Sequence, residues 1–571
     1  MKLKAPGAAA ATTCSPVNWF SAICLAAFVT TICTSSAVAK TGAGGSNPAE
    51  QWVVAQATAG EIADLSKRFP EEKDRKLSAQ FLEDLLTGTL PSVKLHRHGV
   101  RIIGAIIDEP VDLENAQIRC EVWLVYCQFN ASTNFSGGSF VGTISFEHSA
   151  FKADADFTTM KVGGAAFNDA VFEGPVDFGL VDIASNFTAD GANFQNKEQG
   201  ASFTSMKVGG YALFNGAVFE GPVDFISVDI TSRFDANGAK FQNKEKGASF
   251  TAMKVGGDAF FHGAVFEGPV DFGLTDIATS FTANDAQFRN KEKAANFTGM
   301  KVGGYVFFSG AAFEGPVNFL WADIAGTFAV VKAKFQNKEK EASFGGMKVR
   351  GYAFFNGAAF EGPVELRYSD FTWLDLSSAS WPRGAAQFRM QGMNYKYIRA
   401  APEEPESHKT LLKLADQSPY SADVYGNLEA FFLRQGYRSD ADRAFIAGKR
   451  RERSEYLHGP ARFGSWLLDW LVGYGRRPWQ AGIPCAVLIA LGCVLFSPKK
   501  MELQKPDDAP RVYSRFWYSL NLFLPVVDLQ AGKVWKPKAD QTFLRNYMRV
   551  HILLGWILVP LVIAALTGLI K

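Results

Sequence analysis

The sequence predicts a mainly β chain: a narrow coiled solenoid, flanked by helical segments and followed by two membrane spans. Three observations carry this. The phrase Phe-Glu-Gly-Pro-Val recurs at Phe172, Phe219, Phe266, Phe313 and Phe360, each 47 residues after the last, and Met-Lys-Val recurs at Met160, Met206, Met253, Met300 and Met347. A fixed period of this length marks a repeat architecture. Upstream, residues closing small-x-apolar triplets stand at Ile102, Ile107, Leu113, Ile118, Leu124 and Phe129, in steps of five and six that continue to Val162. Such a step fits neither the period of a helix nor that of a long strand, and suits a coil that turns a corner after each short strand. Finally, 49 of the 571 residues are Phe. A coil this narrow has room inside only for side chains, so one aromatic per face fills it.

Lys2 and Lys4 precede an apolar run from Val17 to Cys33, and Thr-Ser-Ser-Ala-Val-Ala closes it at Ala39. Residues 1–39 therefore read as a secretory signal peptide, with an uncleaved anchor as the alternative. Cys14, Cys24 and Cys33 leave with it if it is cleaved. Residues 40–50 form a Gly-rich linker, and 51–99 read as a helical cap. Leu77, Phe81, Leu82, Leu85 and Leu86 fall at helical spacing, with Gly88 as a stop and Pro91 beyond. The cap precedes the first coil and suits a lid on an open sheet edge.

The solenoid occupies 100–382. One unit has centres at Val208, Phe214, Phe219, Phe225, Ile230, Phe234, Phe241 and Phe250, with steps of 6, 5, 6, 5, 4, 7 and 9. Ala-Val-Phe-Glu-Gly at 217 and 264, and Ala-Ala-Phe-Glu-Gly at 311 and 358, resemble the pentapeptide-repeat family, whose consensus places a central Leu or Phe between small and polar residues. The stretch from Ala79 to Gly88, followed by Gly99 to Ala105, is similar to the entry segment of bacterial, membrane-anchored members. The resemblance covers Val100 to about Trp381 and implies a right-handed quadrilateral β-helix whose core stack includes Phe172, Phe219, Phe266, Phe313 and Phe360. Eight centres then make two coils, and the Asn-Lys-Glu segments at 196, 243, 290 and 337 bulge from one corner. The uneven steps and these bulges depart from the family's regular sides. About twelve coils at roughly 4.8 Å give a rod on the order of 60 Å.

Residues 383–462 return to helical composition. Tyr425, Leu428, Phe432, Gly436, Tyr437 and Ala441 resemble one tetratricopeptide-like hairpin, expected to cap the last coil. The run Lys449, Arg450, Arg451, Arg453 is either a solvated helix face or a contact with anionic headgroups. Residues 463–478 read as an interfacial helix, and 479–496 and 550–570 as transmembrane helices of about 20 residues. The connecting loop, 497–549, carries ten Lys and Arg at its flanks, which places it in the cytoplasm and the rod outside. Within it the apolar segment 516–527 reads as interfacial or re-entrant.

Chemistry is sparse. No nucleophile and base pair stand at a recognisable spacing, so no enzyme activity, catalytic residue, cofactor or metal site is expected. His96 and His98 form a loop pair of the kind more often solvated than ligating, and His148 and His262 stand alone. Cys120 and Cys127 admit a disulfide under export, or are two small buried or corner residues. Asp177, Asp224 and Asp271, with Asp182, Asp229 and Asp276, predict carboxylates stacked on outer faces every second coil. The unit from Met206 to Thr251 balances five basic against five acidic residues. A neutral rod is neither a mimic of nucleic acid nor a binder of it. The expected function is a structural or protein-interaction scaffold in the inner membrane of a cell envelope, with an envelope protein or a second copy as partner. The alternative is a two-span channel-like or sensor protein gated by its solenoid.

Overall fold

A computed structural model describes residues 47–382, 387–504, 512–524 and 531–567. The signal segment 1–39 and most of the linker lie outside the described residues. From Val100 to Arg399 the chain is a β-solenoid of two- to seven-residue strands, paired in parallel coil upon coil. Each coil visits four strand columns. Face I begins with Val100–Ile103, face II with Ile106–Ile107, face III with Val111–Asp112 and face IV with Gln117–Ile118. Faces I and IV merge into one 23-stranded sheet, face II forms a 12-stranded sheet and face III a 13-stranded one. The rod is thus one coil longer than the centre count predicts.

Inward side chains stack in columns. On face II Phe129, Phe151, Phe172, Phe194, Phe219, Phe241 and their successors to Phe360 and Trp381 stand 4.4–5.1 Å apart with ring planes within 8°. A second column on face III runs from Phe135 to Phe344 with spacings of 4.5–5.5 Å. Strand spacing in a sheet is itself ~4.8 Å, so stacked rings need no distortion of the ladder.

Face I explains why the sequence repeats every two coils. Its two inward positions hold Phe187 and Ala189 in one coil, Ala212 and Phe214 in the next, then Phe234 and Ala236, then Ala259 and Phe261, all buried. The register pairs Phe187 with Ala212, Ala212 with Phe234 and Phe234 with Ala259. Ring and methyl group therefore alternate along each column, and the rings of successive coils meet at a tilt, Phe214 and Phe234 at 5.6 Å and Phe234 and Phe261 at 5.3 Å. The uneven steps of 4 and 7 around Phe234 come from this exchange. Ala236 keeps the backbone steps at six and five, and only the ring has moved.

The remaining irregularity is a corner between faces II and III. Phe219 pairs with Phe241 after 22 residues, but Phe241 pairs with Phe266 after 25. The surplus lies in the loops that begin at Asn196, Asn243, Asn290 and Asn337. Asn243 Oδ1 accepts from the backbone N–H groups of Glu245, Lys246 and Gly247 at 3.2, 2.8 and 3.2 Å. Lys246 Nζ donates to the Glu198 carbonyl of the bulge below at 3.3 Å, and Lys293 repeats this on Glu245 at 3.4 Å. The bulges are therefore a second, external ladder.

Both ends are covered. The helical cap expected over 51–99 holds α1 (Pro48–Ala59), short helical turns and α2 (Ala79–Thr87), interrupted by a strand at Ala63–Asp64. The strand is there because the first coil has an open edge, and it pairs Ala63 with Ile102. Gly88 ends α2 at φ 74°. At the other end the ladder runs past Trp381 through Phe388–Arg389 and Asn394–Arg399, a stretch expected to be helical. The adaptor follows as α3 (Glu404–Gln417), α4 (Ala422–Arg434) and α5 (Arg438–Glu455). It closes the last coil with hydrogen bonds. Asn427 donates to the Met393 carbonyl at 3.0 Å, and Arg434 donates to that of Tyr395 at 3.3 Å.

Two predictions follow from this packing. Exchanging Phe234 and Ala236 conserves volume but puts ring on ring and methyl on methyl. The exchange should lower unfolding stability by roughly 3 kcal/mol in denaturant titration, close to the cost of Phe234→Ala alone. The second concerns Asp375, which is fully buried and ion-paired with Arg399. Burial alone would raise its carboxyl, but Arg399 and Ser377 outweigh it and hold the group below the usual carboxylate range. This contribution is complete above about pH 4 and is lost as pH falls through the folded value. The melting temperature of Asp375→Asn should accordingly fall less steeply below pH 4 than that of the wild-type chain.

Candidate functional site

The residues singled out in the rod are dispersed. His98 Nδ1 lies 3.0 Å from the Gly60 carbonyl, and His96 packs edge-on against it at 4.3 Å. His148 stacks on Tyr126 at 4.4 Å, and His262 Nε2 lies 3.0 Å from Thr282 Oγ1. Cys120 and Cys127 are both free thiols, and burial pushes the Cys127 thiol up to about 12. Among the described residues no group of three or more His, Cys, Asp or Glu side chains is placed to hold a metal ion.

The aspartates do form columns, and the register adds their partners. Face IV reads outward as Lys161, Asp182, Lys207, Asp229, Lys254, Asp276, Lys301 and Asp323 in successive coils. Opposite charges at strand spacing screen each other, so this face presents polarity without net charge. On face III Asp224 lies between Ser202 and Ser249.

The basic run of α5 is neither free nor simply solvated. Arg450 and Arg453 both reach Asp469 at 2.9 Å, on helix α6 (Gly459–Val472), while Lys449 pairs with Glu452 at 2.8 Å and Arg451 with Glu455 at 2.7 Å. Burial alone would raise the Asp469 carboxyl, but the two guanidiniums hold it below the usual range. Arg476, expected at a membrane surface, turns back to the adaptor and pairs with Glu429, and with Asp442 at 3.4 Å. These pairs fasten α6 to the adaptor by one side. The helix exposes Phe463, Trp466 and Trp470, with the two indoles parallel at 6.3 Å.

Beyond α6 stand α7 (Gly482–Leu495), α8 (Arg515–Phe523) and α9 (Thr542–Leu566). The segments Pro478–Leu495 and Thr542–Ala564 are long and apolar enough to cross a membrane. Of the apolar stretch 516–527, the part beyond Leu524 lies outside the described residues, as do 568–571. Helix α8 packs against both long helices. Ser519 Oγ donates to the Ile489 carbonyl in α7 at 2.8 Å. His551 of α9 is fully buried, its Nε2 lying 3.1 Å from the Ser519 carbonyl and its Nδ1 3.3 Å from Tyr547 Oη. One tautomer satisfies all of these: Nε2–H donates to Ser519, and Tyr547 donates to Nδ1. Two glycines permit the approach. A Cβ on Gly492 would lie 2.1 Å from Ser519 Oγ, and one on Gly555 would lie 2.0 Å from the Phe523 carbonyl.

Sequence reasoning passed over this polar node. Its signal was a histidine inside an otherwise apolar span, and such residues mark functional or packing sites. No family model matches the chain, and neither a curated protein nor a solved structure matches it.

The node generates a test. Gly492→Leu should expel α8 from between the long helices, whereas Gly492→Ala should do so partly. A single cysteine introduced at Ser519 should go from unreactive to rapidly labelled by a membrane-impermeant thiol reagent when Gly492→Leu is added.

Proposed function

We propose that the chain is a membrane-anchored pentapeptide-repeat scaffold, with the solenoid exported and displayed at the surface of an inner membrane. Its role is to present a long rigid face to an envelope partner or a second copy. The observation that carries this reading is mechanical continuity. The parallel sheet of faces I and IV is hydrogen-bonded at its last strand, Asn394–Arg399, to the adaptor. The adaptor is ion-paired through Asp469 to the helix that leads into the apolar pair. A rod held in this way transmits position and repeats its outward residues at fixed intervals. The external side is supported by Lys499, Lys500, Lys536, Lys538, Arg545 and Arg549, clustered in the connecting loop.

A second reading is favoured by α8. A short helix inserted between two spans is the layout of a re-entrant segment, and such segments line cavities in channel-like proteins. In that reading the rod gates or senses for the membrane part.

Protease treatment of spheroplasts, with mass detection of fragments, tests the primary reading. Cleavage of the rod from outside is the expected result. A rod degraded only after lysis would place it in the cytoplasm and bring the channel or sensor reading forward. The two readings also part on conduction, since the scaffold predicts no current in planar bilayers.

A further inference from the structure

Face I changes character along the rod. Its outward positions, two per coil, hold Arg233 and Asp235, then Asp258 and Phe260, then Ser280 and Thr282. The next coils bring Tyr305 and Phe307, Thr327 and Ala329, Tyr352 and Phe354, and then Trp373 beside Asp375. The Tyr305 and Phe307 rings are 5.7 Å apart in planes 5° from parallel, and those of Tyr352 and Phe354 are 5.6 Å apart at 1°. Trp373 extends the band at 5.9 Å from Tyr352, and Tyr397 lies 5.1 Å further. Both tyrosines are 51% exposed, and Ala329, whose strand lies between those of the two offset-stacked ring pairs, is 4% exposed. From Ser280 to Trp373 the outward positions of this face carry no formal charge, and the band is bounded by Asp258 at one end and by Asp375, paired with Arg399, at the other.

We infer that this band is a binding platform for an extended, uncharged, β-linked polysaccharide. The argument is one of matched chemistry. Such a chain offers apolar C–H faces on a hydroxyl-rich ribbon and no charge, and the band offers half-exposed aromatic rings, the Tyr305 and Tyr352 hydroxyls and Thr327 with no charge. Ring pairs recur every two coils, about 9.6 Å at the usual strand spacing. That is close to the length of a disaccharide in an extended β-linked glycan, so every second sugar meets a ring pair. An added protein strand is excluded at this place, because strands on both sides already pair the backbone of Val306–Phe307 and Phe328–Ala329. The inference deepens the scaffold reading by naming the class of partner, and rests on it for the presence of cell-surface glycan near the rod.

The test uses the full chain in detergent micelles with insoluble chitin and cellulose, and α-linked starch as the control. The expected result is retention on a β-linked polymer and not on starch. The double variant Tyr305→Ser with Tyr352→Ser should weaken retention at least about tenfold, and Tyr305→Phe with Tyr352→Phe should keep most of it. Thr327→Lys, which sets a charge in the middle of the band, should also weaken it, with circular dichroism as the check that each variant keeps the rod. Absence of retention on both β-linked polymers overturns the inference, as does equal retention by the serine variant. So does a wild-type dimer that the serine variant dissolves without any glycan retention, since that outcome assigns the band to a second copy. Failure here with a rod cleaved from outside spheroplasts sinks the platform and leaves the scaffold. Retention with a protected rod sinks the exported scaffold and leaves the platform.

Discussion

The structure depends on filling a tube that is one side chain wide. Each coil turns four corners, and every strand sends its inward residues toward the same axis. Stacking solves this on faces II and III, because aromatic planes and parallel strands share nearly the same spacing, with Phe219 and Phe241 at 5.1 Å. Face I stacks Phe146 on Phe167 in its early coils and then alternates ring and methyl, as Ala212 and Phe214 are followed by Phe234 and Ala236. The two-coil repeat, the alternation of Val208 with Ile230 and the alternation of Met206 with Val228 are all expressions of this volume balance. Surface features inherit the same period. The bulges, the Lys and Asp alternation of face IV and the ring pairs of face I recur every second coil because the core does.

An open-ended stack leaves two unpaired sheet edges, and the segments on either side of the rod answer that problem. At the start, a two-residue strand interrupts what composition alone would make a helix, since hydrogen bonds offered by Ile102 outweigh local preference. At the end, polar side chains of α4 meet the last carbonyls directly. Charge then does the joining. Asp469 between Arg450 and Arg453 ties α6 to the adaptor, and α6 leads into the apolar helices. Among the long helices the polar atoms of Ser519, His551 and Tyr547 satisfy one another, which lets a short helix sit where water is excluded.

Much of this was legible in the sequence. The 47-residue period and the triplet centres specify a narrow β coil, and Phe172, Phe219, Phe266, Phe313 and Phe360 do stand in one column. The interleaved Phe194, Phe241, Phe288 and Phe335 were harder to place, because Phe-Glu-Gly-Pro-Val marks only the unbulged coils. The steps around Phe234 suggested irregular sides, since a centre defined by its ring cannot follow a backbone whose ring has moved two residues. Past Trp381 the period is obscured, and the last coil was read as helix. The sequence of the basic run of α5 suits solvent and lipid alike because its partner, Asp469, lies in the next helix. His551 stands out in the sequence only as a histidine in an apolar span, because its partners are Ser519, 32 residues upstream, and Tyr547 in its own helix turn.

The central claim is that the core's volume balance holds every coil in one parallel register. Spin labels at Lys207→Cys and Lys348→Cys, in a chain whose native cysteines are replaced, test it directly by pulsed dipolar spectroscopy. These positions lie on one face, six ladder steps apart through Asp229, Lys254, Asp276, Lys301 and Asp323. A single narrow distribution near 29 Å, roughly six strand spacings, is the result the account predicts. A broad distribution, or one displaced by a whole coil or more, would contradict it.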